Sequence, residues 1–438
     1  MRLQAGIELI IPSTYSENRM RMHIPTAVLP IFVTAAAIAA LAISSQTSGR
    51  DNSLALVGGT IYVSPAQEPI RNGTVLIQEG KIVSVGTIQQ IKVPAGAQVV
   101  DCSGRTITAG FWNSHVHFME TKWADAAKTP ASELTQQLQD MLTRYGFTAA
   151  FDLSSPWENT HVLRDRIESG EVAGPRIYST GPGLLPSNPG LPAEAALYMG
   201  WMNATGPQVA DAEQARTVSK KLLDTGVDGI KLFASAPSRT SLSQSTMEAA
   251  VKEAHRLGKP VFVHPNTGED VLAAARAGVD VIAHTTPRGG PWDEKLLTAM
   301  KEHHVALTPT LWIWKWYARH DRRSAQDKIV DAELAQLRAW VANGGTVLFG
   351  TDLGAVDPDP SEEHQLMAQA GMNFRQILAS LTTAPAERFG KSGQLGKVAA
   401  GLQADLVVLR GEPAENLHAL TDVQYTLRDG KIIYRAVP

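Results

Sequence analysis

The sequence predicts an α/β protein: a (β/α)8 barrel of the TIM type over residues 109–394, with a small β-sandwich domain formed from both chain ends, residues 54–108 and 395–438. Three observations lead there. Apolar strand-like runs alternate with helical patterns through the middle of the chain. Both flanks are rich in short strands and tight turns. Several of the central strand-like runs end in a histidine or an aspartate.

Residues 1–45 stand apart. Met20-Arg21-Met22-His23 precedes a stretch from 24 to 43 with hardly a polar residue, and small residues (Ala40-Leu41-Ala42) lie near its end. A basic start, an apolar stretch and small residues have the grammar of a secretory signal peptide. The stretch is long for that role, and an uncleaved membrane anchor is the alternative. The expectation is an exported protein, periplasmic or secreted, with Met20 or Met22 as the true start.

From 54 to 108, β-branched runs such as Thr74-Val75-Leu76-Ile77 and Ile82-Val83-Ser84-Val85 are punctuated by Asn72-Gly73 and Glu79-Gly80-Lys81, which read as turns. The tail reads alike, in Ala404 to Leu409, Val423 to Leu427 and Ile432-Ile433-Tyr434. Two β-rich ends around one centre are expected to meet. In the centre, strand candidates start near Gly110, Thr148, Arg176, Asp228, Pro260, Val279, Val305 and Thr346, with helical patterns at 132–145, 212–225, 245–258, 268–277 and 325–343. Eight such units over about 280 residues fit a closed parallel barrel better than an open doubly wound sheet.

In such barrels chemistry gathers at the C-terminal ends of the strands. His115 and His117 end the first strand as a His-Val-His triplet, and alternate residues of a strand share a face, so both imidazoles can grip one divalent cation. His264 closes Val261-Phe262-Val263, His284 closes Val281-Ile282-Ala283, and Asp352 follows Val347-Leu348-Phe349-Gly350-Thr351. Alone, each histidine reads as well as a hydrogen-bonded structural residue, and Asp352 as a cap; together they make a donor set for zinc, or for manganese, iron, cobalt or nickel. Lys231 lies inside the apolar run Ile230-Lys231-Leu232-Phe233. An ammonium there requires an ion pair or chemical alteration. The sharper reading is a carbamate formed with carbon dioxide, an anion able to bridge two cations.

The composition bounds the rest. Of 438 residues, 44% are hydrophobic and 19% charged, with a net charge of −3 and no long basic block, so a nucleic-acid partner is not expected. Cys102 is the single cysteine, which excludes an internal disulfide; it reads as a small buried residue. Trp312, Trp314, Trp316 and Tyr317 crowd the segment after the seventh strand, and alternate spacing suggests one face: a substrate wall, an oligomer contact or ordinary packing. Prolines in the glycine-containing segment 181–190 argue against a phosphate cradle and for a pocket-lining loop. His255, His303 and His304 read as surface residues, and His364 as a candidate to face the pocket.

Residues 54–438 resemble the amidohydrolase superfamily, specifically its imidazolonepropionase-related, Xaa-Pro-dipeptidase-like branch. The carriers are Gly110-Phe111 through His117, Gly229-Ile230-Lys231, Val263-His264, Ala283-His284, Gly350-Thr351-Asp352, the segment Thr382 to Gly390, and Gly401-Leu402-Gln403-Ala404-Asp405-Leu406. The resemblance implies two divalent metal ions, zinc first. His115, His117 and Asp352 would hold one, His264 and His284 the other, and carboxylated Lys231 would bridge them. It further implies a homo-oligomer acting on a small-molecule substrate. The reaction would be hydrolysis of an amide-type C–N bond by metal-activated hydroxide, with Asp352 as proton shuttle. One departure is Asn113, where many relatives carry aspartate, so tuning of the metal differs. Two alternatives stand beside this reading. A mononuclear deaminase of the same fold lacks its general-acid glutamate here, where Thr267 stands, and leaves Lys231 unexplained; a non-catalytic binding protein would not be expected to keep a complete ligand set.

Overall fold

The structure, a computed structural model, describes residues 53–187, 206–235, 240–320, 326–354 and 360–437. The expected export segment, residues 1–45, and the last residues of the expected pocket loop, 188–190, lie outside the described residues.

The chain opens with β1 (Leu54–Ile61), β2 (Ile70–Gln78), β3 (Lys81–Thr87), β4 (Gln98–Asp101) and β5 (Arg105–Ala109). Eight parallel strands follow, interrupted by the short pair β9 (Leu185–Pro186) and β10 (Gln208–Val209). The eight are β6 (Phe111–Val116), β7 (Phe147–Asp152), β8 (Arg176–Ser179), β11 (Ile230–Phe233), β12 (Val261–His264), β13 (Val281–Ala283), β14 (Ala306–Thr308) and β15 (Thr346–Val347). The chain ends with β16 (Leu406–Arg410), β17 (Val423–Arg428) and β18 (Lys431–Arg435).

Strand β16 runs antiparallel beside β5, so the two chain ends pair in one eight-stranded sheet. The expected sandwich is not what these strands form by themselves: they make one sheet, with its own apolar core cluster. Period-2 alternation divides β16 between two cores. Leu406 and Val408 join Leu56, Val75 and Ile107 in the sheet's own cluster. Val407 and Leu409 point the other way, into the larger cluster that fills the centre of the molecule. The Arg176 guanidinium on β8 ties the sheet to the centre through Asp405 (3.0 Å) and Asp429.

Asn72-Gly73 is not a turn. Both residues lie within β2, where the β1–β2 register shifts at a bulge. Gly73 is needed there because a Cβ would come within 2.4 Å of the Ile61 side chain. Glu79-Gly80 is a turn, with positive φ at both residues.

The eight parallel strands lie in chain order as two arcs, β6–β8 and β11–β15, rather than one continuous closed sheet. Backbone hydrogen bonds cross both seams. At one, Asp228 N–H reaches Ser179 O (2.6 Å) and Leu184 N–H reaches Lys231 O (2.8 Å). At the other, Ser114 N–H reaches Phe349 O (2.7 Å), His117 N–H reaches Leu353 O (2.7 Å) and Asp352 N–H reaches His115 O (2.9 Å). Helices connect the strands and begin where small polar residues cap them: Asp211 for Ala212–Asp224, Ser243 for Gln244–His255, Thr267 for Gly268–Arg276 and Asp293 for Glu294–Glu302.

The tryptophan-rich segment is helical, Leu311–His320. Residues two apart on a helix point about 200° from one another, so Trp314 faces away from Trp312 and Trp316, which lie four apart on a shared face. Trp312 is buried, whereas Trp314 and Trp316 are half-buried. Cys102 is buried, and burial pushes its thiol up to about 12, where it is inert near neutral pH.

Candidate metal centre

The cluster is assembled at the ends of strands, where backbones that have finished pairing turn sharply. His115 and His117 come from the end of β6, and Asp352 from the segment after β15 that pairs across the seam with β6. His264 ends β12, His284 follows β13, and Lys231 is the second residue of β11. His284 and Asp352 hold positive φ, 82° and 61°, conformations in which ordinary side chains are strained.

One oxygen of Asp352 serves both early imidazoles: it lies 2.6 Å from His117 Nε2 and 3.0 Å from His115 Nε2. The ligand atoms of these three residues all fall within 4.8 Å of one another. The rings continue the cluster. His115 and His284 centroids are 4.7 Å apart, and those of His284 and His264 4.5 Å. His264 and His284 do not belong to the tight three-residue group, although they stand next to it. Lys231 is 1% exposed, and its Nζ has no hydrogen-bond partner among the described residues.

Burial sets the protonation states. It pulls the imidazoles of His115 and His264 down to about 3 and that of His284 well below its ordinary value, so all three are neutral near pH 7 and present lone pairs. Burial alone would raise Asp352; the imidazoles of His115 and His117 overcome it and hold the carboxyl well below the usual range. Burial also lowers the Lys231 ammonium to about 7, only partly opposed by Asp352. Three neutral imidazoles, a carboxylate and an orphaned amine form a donor set that fits divalent cations of the zinc type.

Sequence reasoning missed several supporting groups. Asp152, at the end of β7, is fully buried and accepts from Ser179 Oγ (2.6 Å), Ser155 Oγ and Phe118 N–H (3.2 Å). Burial raises its pKa, with the two hydroxyls opposing. Gly183 lies so close to Lys231 that a Cβ there would meet the Lys231 side chain at 3.1 Å and Phe233 at 2.7 Å. Thr310 contacts His284, and Glu363 binds the residues after Thr310. His364 is buried with its ring 4.7 Å from that of Phe349. His255, His303 and His304 are exposed, as expected.

Comparison with known proteins places this geometry in context. Residues 106–434 match the amidohydrolase family. A 5-methylthioadenosine/S-adenosylhomocysteine deaminase of Symbiobacterium thermophilum is 23% identical over an alignment covering 87% of this chain and 93% of the relative. A prolidase crystallised with N-methylphosphonate-L-proline is 27% identical, with a TM-score of 0.71, covering 88% of this chain and 100% of its own. A Xaa-Pro dipeptidase with methionine bound in its active site shares the fold at a TM-score of 0.74 and 21% identity, covering 88% of this chain and 100% of its own.

Proposed function

Given that the chain belongs to the amidohydrolase family, we propose that it is a metal-dependent hydrolase of an amide-type C–N bond in a small molecule: a peptide-like compound, an N-acyl amino acid or a cyclic amide. The observation that carries this reading is Lys231, buried to 1% exposure, with no hydrogen-bond partner for its Nζ among the described residues, in the wall of a histidine cluster. A lone ammonium there is opposed by a desolvation penalty of several kcal/mol. A neutral amine adds to carbon dioxide: an N–C bond forms, one N–H proton leaves to solvent, and the product is a carbamate anion. Two oxygens on that anion would face His264 and His284 on one side and the Asp352 group on the other.

On this reading His115, His117 and Asp352 hold one divalent cation, His264 and His284 a second, and carboxylated Lys231 joins them, with zinc the first expectation. A bound pair of this kind polarises a carbonyl and acidifies a water molecule. The protein's own part lies with Asp352. Two imidazoles keep it anionic and aimed, so it can accept a proton from water and return it to the leaving nitrogen. The same reading takes the two strand arcs as one working barrel, with the paired ends as its sandwich domain. It also takes residues 1–45 as an export signal or anchor, and the protein as a homo-oligomer.

A second reading, a mononuclear deaminase, is favoured by the tight three-residue group and by the deaminase relative. Against it, Thr267 stands where that chemistry would want a glutamate, and its side chain is engaged in a capping box with Asp270. Metal analysis separates the readings. About two ions per chain, with the mass of one carbon dioxide on the peptide bearing Lys231, is expected of the hydrolase. One ion without the adduct means the deaminase, and no metal with no chelator effect means a binding protein.

A further inference from the structure

We propose that Thr310, itself held in place by Glu363, is a positioning residue that fixes which nitrogen of His284 faces the cluster; only the identity of what that nitrogen binds rests on the two-cation reading. Proton counting carries the argument. His284 Nδ1 lies 2.5 Å from Thr310 Oγ1, and Thr310 Oγ1 donates to Pro309 O at 2.8 Å. A hydroxyl has one proton. With that proton given to Pro309, Oγ1 can only accept, so His284 Nδ1 carries hydrogen and Nε2 is left with a lone pair directed away from the loop. By contrast, the Nδ1 atoms of His115 and His117 have no hydrogen-bond partner among the described residues.

Thr310 does not hold its conformation unaided. Its φ is 46°, a left-handed value unfavourable for a β-branched residue. The next two residues supply the restraint. Leu311 and Trp312 donate their N–H groups, at 3.0 and 2.8 Å, to the two oxygens of Glu363, a fully buried residue of the helix Ser361–Gln369. These are the first N–H groups of the helix Leu311–His320, so a single carboxyl group both caps that helix and fixes the strained turn before it. On the other side, His284 N–H binds Thr308 O at 2.8 Å and Thr285 N–H binds Pro309 O at 3.3 Å, lacing the two loops together. The path His284–Thr310–Glu363, its last step made through the backbone of Leu311 and Trp312, therefore runs from the cluster to the helix Ser361–Gln369.

The test uses the full chain with 15N-labelled histidine, stripped of metal, as wild type, Thr310→Val, Thr310→Ser and Glu363→Gln. The His284 ring of the wild type is expected to show the tautomer protonated at Nδ1. Valine keeps the shape and loses the acceptor, so Thr310→Val is expected to mix tautomers, and Thr310→Ser to restore the wild-type signal. Titrated with zinc alone, Thr310→Val is expected to bind its weakest ion about 10–100-fold less tightly, Thr310→Ser to stay within about threefold of wild type, and Glu363→Gln to fall between. A wild-type ring protonated at Nε2 overturns the proposal even where Thr310→Val does not fold. So does wild-type zinc affinity in Thr310→Val, or a serine variant as weak as the valine one. A wild type that binds a single zinc with the Nδ1–H tautomer intact sinks the two-cation reading and leaves this inference standing.

Discussion

His115 and His117 come from one strand and carry their own acid; His264 and His284 come from two strands and have none. In the first half of the cluster, a period-2 repeat aims both rings one way, and Asp352 arrives through hydrogen bonds across the seam to bind His117 and stand 3.0 Å from His115. Its counter-charge is built in. The second half is made of rings 4.5 Å apart, beside an amine with no hydrogen-bond partner among the described residues, and one of its rings depends on a loop hydroxyl for orientation. The first half is preorganised by the chain alone. The second is short of an anion, and a carbamate on Lys231 would supply one.

The strongest way to break this contrast is Asp352→Asn. It removes the charge that holds two imidazoles and the proposed proton shuttle together, and turnover is expected to fall by about 10²–10⁴-fold. Chelator-sensitive hydrolysis of a substrate drawn from an amide library measures it. Lys231→Ala strikes the other half. Activity is expected to be lost and partly restored by short carboxylic acids that replace the missing anion, whereas full activity without them would end the bridging role.

Protonation sharpens the contrast less drastically. Burial holds His115 and His264 at about 3 in the fold, against 6.5 when free. As pH falls through about 6.5 the unfolded chain takes up protons that the fold refuses, so the metal-free protein is expected to lose stability from there down toward pH 3. His264→Asn should flatten that slope in denaturant titrations, and an unchanged slope would mean that the ring is solvated.

Much of this architecture is legible in the sequence because burial on both faces leaves its mark. The runs before His264 and His284 are unbroken apolar stretches, as parallel strands covered by helices must be, and Lys231 is conspicuous as a charge inside another. What stays hidden lacks such a local signature. Thr310 follows a proline and looks like any loop hydroxyl. Glu363 looks like an acid in the first turn of a helix, yet it serves the N-terminus of another helix some fifty residues earlier in the chain. The helices Trp157–Glu168 and Leu311–His320 escape a periodicity reading for a related reason. The first is weakly amphipathic, and the second is apolar on several sides because it packs between the central core and its neighbours.

The smallest expected effect probes the first half from beneath. Asn113 is fully buried; its Nδ2 donates to Thr351 Oγ1 at 2.7 Å, and its Oδ1 accepts from His115 N–H at 3.3 Å. One side chain thus braces both the residue before Asp352 and the backbone of His115. Aspartate would keep the acceptor and force the Thr351 hydroxyl to reverse and donate. It would also place a second buried anion near Asp352, which disfavours the metal-free fold and favours bound cations. Asn113→Asp is therefore expected to lower the melting temperature of the metal-free protein and to widen the gap between metal-free and zinc-loaded melting. A gap equal to that of the wild type would show that the charge at 113 does not reach the cluster.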